Sequence, residues 1–157
     1  MAMGFSPWGL GISLAVLAPT FLLWVLPPRS PLPQPRVPGV LAVLERSGQA
    51  LCLVVPAVTL PGAMSVWWAV PGGLALVAYY ALWARYVVER TPDSLYRRTW
   101  ALPVPMAALP VLVYLAASGL LGNPFIAASA VVLAAGHVPT SLIIAKELRT
   151  PPDRRAL

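Results

Sequence analysis

A lone imidazole, His137, lies inside an apolar run that extends from Pro124 to Glu147. At that depth it can donate or accept a hydrogen bond, carry a proton or hold a metal. An ionisable group within a membrane-length stretch is costly enough to require a role. Pro139, two residues on, offers no amide to the carbonyl of Ala135, which leaves that oxygen free beside the histidine's turn. Ser141 follows His137 by four residues and shares its helical face. His137, the Ala135 carbonyl and Ser141 therefore form a candidate polar notch. The plainer reading is a histidine satisfied by one hydrogen bond between helices.

A second set of candidates is cationic. Arg85, Arg97 and Arg98 flank a junction between apolar runs, and a guanidinium presents paired N–H donors that match a phosphate. Fixing the topology of the chain is the simpler duty for them. Neither set completes a reaction centre. No second histidine is present to build a haem or metal site. Cys52 stands alone, which rules out an intrachain disulfide. No acidic residue is expected inside a span to orient the His137 ring, and no Walker loop, zinc-protease repeat or paired-carboxylate motif occurs. No residue is assigned a catalytic or metal-binding role.

The elements that must position these groups follow from the distribution of charge. Of 157 residues, 59% are hydrophobic and 10% charged, too few charges to coat a globular surface. The chain reads as an all-α, polytopic membrane protein with about five spans, near residues 8–26, 47–63, 65–84, 100–121 and 125–145. All 157 residues then form one integral membrane domain. Residues 27–39, dense in proline, form an extended inner loop. The first run lacks a basic leader and a small-residue cleavage site, so it reads as a retained span rather than a signal peptide.

The second run is the weakest, being short and carrying Pro56. Extending it back to Leu41 would draw Glu45 and Arg46 into the helix. In the third, Pro71-Gly72-Gly73 is expected to delay ordered helix until about Leu74. Pro103, Pro105 and Pro110 should break the early part of the fourth. Asn123 and Pro124 have the types of a cap and first turn for the fifth. In that helix Ala128, Ala135 and Gly136, with Ala127 and Ala134 beside them, make a face on which another helix could pack closely. Thr91 and Pro92 look like the start of a short interfacial helix, and Arg85 stands four residues before Glu89, at pairing distance.

The net charge of +6 belongs to residues that flank apolar runs, which excludes a nucleic-acid stripe. With the amino terminus outside and five crossings, all 11 Lys and Arg fall on the cytoplasmic side, together with the carboxyl terminus. Membrane lipids are the expected partners and the cell membrane the expected location. Asp153-Arg154-Arg155 reads as a frayed polar end. Function is expected to be that of an assembly module, a homo-oligomer or a subunit of a larger membrane complex. The alternatives are a transporter or lipid-handling protein with its site at His137, and a membrane enzyme acting on a lipid or isoprenoid.

Overall fold

The computed structural model describes residues 2–150; the Asp153-Arg154-Arg155 end lies outside them. Helix α1 (Pro7–Leu17) and α2 (Leu22–Val25) are halves of one rod joined by a 3-10 turn at Ala18–Phe21. Then come α3 (Gly39–Val58), a 3-10 turn at Val66–Trp68 that runs into α4 (Ala69–Glu89), the short α5 (Pro92–Tyr96), α6 (Pro105–Leu120) and α7 (Pro124–Arg149). Four rods, Pro7–Val25, Gly39–Val58, Val66–Glu89 and Pro124–Arg149, are long and apolar enough to cross a bilayer. In each, well under half of the residues of the most apolar window are buried by protein, so their remaining apolar surface needs lipid to cover it. The chain is an all-α, multi-pass integral membrane protein. Exposed Trp8 and Trp67 mark one end of the bundle and exposed Trp24 and Trp100 the other, as expected for rings that favour the head-group layer.

Helix α6 differs from the four. It has 16 residues and is the most enclosed, with Met106, Leu109, Val113, Tyr114 and Ala117 all buried. The expected span 100–121 is shortened because Trp100 and Ala101 take positive φ in a turn closed between Thr99 and Leu102. Pro103 falls ahead of the helix, Pro105 occupies its first turn, and Pro110 alone interrupts it. The other boundaries shift for similar reasons. Pro71 sits in the first turn of α4, where no amide donor is needed, so helix does not wait for Leu74. Helix α3 begins at Gly39 instead of residue 47, which shortens the proline-rich loop slightly and draws Glu45 and Arg46 into the helix.

Proline inside a helix frees the carbonyl four residues earlier. For Pro56 that is Cys52, and its oxygen accepts from Ser13 Oγ of α1 at 2.9 Å. For Pro19 it is Ala15, whose oxygen accepts from Tyr80 OH of α4 at 2.8 Å. The kinks thus become joints between helices, because in lipid each freed oxygen must find a protein donor. Thr20, Thr59 and Ser129 bond back to carbonyls of their own helices, at Leu17, Val55 and Phe125. Ser118 donates to Asn123 O in the turn that follows α6, rather than across a helix interface.

The most extensive crossing is between α3 and α7. A β-carbon at Gly136 would collide with the backbone of Leu44 and Glu45, and one at Gly48 with the backbone of Leu133. Only glycine lets the two backbones approach so far. The small-residue face is rotated from its expected position: Gly136, Leu133 and Ala130 point inward, while Ala128 and Ala135 are exposed.

Each end of the bundle is tied differently. At one, Asn123 caps α7 through Phe125 N and donates from Nδ2 to Thr59 Oγ1 at 2.6 Å. There the extended amino-terminal segment pairs with the last carbonyls of α3, Gly4 N on Val58 O and Ser6 N on Ala57 O. At the other end Arg29 N donates to Arg90 O, and the Arg90 guanidinium donates to Pro27 O. Every described Lys and Arg lies at this second end or within two turns of it. Replacing Gly136 with Leu should abolish recovery of monodisperse protein. Gly73→Ala, where a β-carbon meets open space, should leave the thermal midpoint unchanged or raise stability by up to about 1 kcal/mol. Size-exclusion profiles and thermal unfolding in detergent check both.

Candidate functional site

The α3–α7 crossing positions the first candidate. Because Gly136 meets the α3 backbone at Glu45, the next residue, His137, reaches the Glu45 side chain: Nδ1 to Oε1 is 2.7 Å. Both side chains are mostly covered, at 26% and 21% exposure. With Glu45 ionised, Nδ1 is protonated and donates, so Nε2 is an acceptor in the neutral ring and a donor in the cation. Nε2 has no hydrogen-bond partner among the described residues. The expectation that no span would supply an acidic residue is therefore corrected by Glu45. The sequence did hold a signal for it: Glu45 stands three residues before Gly48, as His137 adjoins Gly136, so each ionisable group lies beside a close-packing glycine.

Of the other expected members of the notch, Ser141 is buried, and His137 turns to Glu45 rather than to it. Among the described residues no side chain donates to the Ala135 carbonyl. Tyr96 of α5 packs near the pair. Burial, and after it the charge on Glu45, holds its hydroxyl above the usual tyrosine range.

A partly open cavity of about 450 Å³ adjoins the pair, lined by the first rod, α3, α4, α6 and α7, with Arg46, Gln49, Ala50 and Leu53 of its lining exposed. His137, Arg46, Gln49, Cys52, Tyr79 and Tyr114 contribute to its wall. Tyr79 and Tyr114 share the space with His137, whereas Tyr80, on the other side of α4, is spent on Ala15. A larger groove of about 550 Å³ lies toward the other end of the bundle, between Trp8, Gly11, Gly72 and Leu120, and its wall is almost wholly apolar. Chemistry belongs to the smaller space. It offers an oriented imidazole, a carboxylate behind that ring and a guanidinium at the wall. No group of three His, Cys, Asp or Glu that could hold a metal gathers among the described residues.

The second set of candidates is differently engaged. Arg85 donates from Nη1 to Thr99 Oγ1 and from Nη2 to Ser94 O, both at 2.9 Å, so it clamps the loop between α5 and α6. Arg97 pairs with Glu89 at 2.7 Å and stands 3.7 Å from Asp93. Glu89 is thus the partner of Arg97, not of Arg85 as the four-residue spacing implied. Arg98 is exposed and makes no bond within the described residues. Thr91 caps α5 through Ser94 N with Pro92 in its first turn, as expected.

No known family model, curated protein or solved structure matches this chain. Function must be argued from the site itself.

Because Arg85 spans two acceptors in different directions, Arg85→Lys should lower the thermal midpoint by several degrees, equivalent to about 1–2 kcal/mol. Arg98→Lys should leave the midpoint where it is. Thermal unfolding of both variants in the same detergent compares them.

Proposed function

We propose that this protein binds a membrane-dissolved ligand in the cavity beside His137, as a lipid-handling or transport protein does. One observation carries the reading. The only histidine of the chain is oriented by a carboxylate from another helix, and its second nitrogen has no partner among the described residues next to a space large enough for a ligand. A histidine present only to join two helices gains nothing from that space. A volume of about 450 Å³ falls in the range of small-molecule sites, roughly 300–1,000 Å³.

The threading that suits this reading has five crossings, with the amino terminus outside and the basic end in the cytoplasm. In it the pair lies in the inner half of the bilayer, about 14 Å from the level of Lys146 at 1.5 Å per residue. The α6 helix, too short to be matched to the bilayer alone, is enclosed by its neighbours. A second reading, assembly with another copy or a larger membrane complex, is favoured by the apolar groove along Gly11, Gly72 and Gly73, where small residues sit among Trp8, Trp68 and Leu76.

Organic extracts of protein purified from membranes test the first reading by mass spectrometry. Wild type should retain a species that His137→Ala and Glu45→Gln lose by about tenfold, which is 1.4 kcal/mol of binding. Equal retention in all three, or none in wild type, would contradict it. For the threading, single cysteines at Ser30, Asp93 and Met64 in a Cys52→Ala background should react with an impermeant maleimide from the inside, the inside and the outside respectively.

A further inference from the structure

Resting on that ligand-binding reading, we infer that the cavity selects a single-chain amphiphile with an anionic head group, held by Arg46. Arg46 lies two turns into α3 and contributes to the cavity wall, yet it makes no ion pair or hydrogen bond among the described residues. Its neighbour Glu45 does not neutralise it, because that carboxylate is taken by His137 on the α7 side. Successive helical residues point about 100° apart, so one residue serves the crossing and the next serves the cavity. An unpaired guanidinium matches carboxylate and phosphate oxygens with paired donors.

The remaining wall sorts by polarity. Gln49, one turn further along α3, can add an amide donor beside the head group, and His137 Nε2 adds a donor when the ring is cationic. Beyond them Val16, Leu17, Leu53, Pro110 and Leu133 offer an apolar lining for a tail. The volume sits in the lower part of the range for ligand sites, which suits one chain better than two. The other arginines at the same end do not offer this combination: Arg85, Arg90 and Arg97 are committed to protein acceptors, and Arg98, exposed like Arg46, lies outside the cavity wall.

The test uses the full chain in a neutral detergent, with bound adducts counted by native mass spectrometry. The probes are palmitate, a lysophosphatidate, hexadecanol, hexadecyltrimethylammonium and a two-chain phosphatidate. Palmitate and lysophosphatidate should bind one per chain, and whichever is tighter identifies the head group. Arg46→Gln should weaken both by about tenfold or more, Arg46→Lys should restore part of the loss, and Ala50→Phe, which fills the cavity, should remove both. If hexadecanol binds as well as palmitate and Ala50→Phe removes both, the cavity reading stands and the anionic selection is wrong. If phosphatidate alone responds to Arg46, and Ala50→Phe has no effect, Arg46 meets the bulk lipid surface and the inference fails. If no probe binds, the ligand-binding reading fails with it.

Discussion

The architecture depends on how closely α3 and α7 can approach in a solvent that supplies no hydrogen bonds. Glycine at 48 on one helix and at 136 on the other removes the side chains that would hold the backbones apart. The approach then brings together the two groups that lipid would penalise most if left alone. An isolated carboxylate or imidazolium within the bilayer is costly, but Glu45 and His137 at 2.7 Å satisfy one another. Close packing and hydrogen-bond satisfaction are therefore a single constraint. Widening the crossing would strand both groups, and losing either group would leave the other unpaired.

The same logic recurs at the prolines. Pro19 and Pro56 would each leave a bare carbonyl in the apolar region, and a hydroxyl from a different helix meets each one. The first rod is consequently stitched to α3 by Ser13 and to α4 by Tyr80, in a medium where apolar side chains alone give little drive for helices to associate. Among the described residues, no such hydroxyl reaches the carbonyls of Met106 and Ala135 freed by Pro110 and Pro139. Pro110 also borders the cavity. Many polar groups of the bundle are thus spent on fixing its frame; around His137 a nitrogen, an amide and a guanidinium remain available, and the buried Trp83 Nε1, Arg85 Nε and Thr140 Oγ1 also lack partners among the described residues.

Much of this was legible in the residues. Apolar run lengths and the clustering of arginine gave the membrane class, and the Thr91-Pro92 and Asn123-Pro124 pairs marked helix starts because capping chemistry is local. Tyr79 and Tyr80 were already bound to diverge, as neighbours on a helix must. What remained hidden depended on contact between distant segments. The helix start at Gly39 was obscured because Glu45 and Arg46 look like a head-group boundary until a partner 92 positions away is known. Arg85 looked like a free phosphate ligand because its acceptors lie in the short helix α5, at the Ser94 carbonyl, and at Thr99 in a turn that takes positive φ at Trp100 and Ala101. No spacing rule marks those residues for that conformation.

A double-mutant cycle on Glu45→Ala and His137→Ala, with unfolding free energies measured in bicelles, bears most directly on the shared constraint. If the pair is what makes the crossing tolerable, the two substitutions should couple by about 1–3 kcal/mol, with the double variant less destabilised than the sum of the singles. Coupling below about 0.5 kcal/mol would mean that each group is satisfied independently. The glycine crossing would then have to stand without the charge pair.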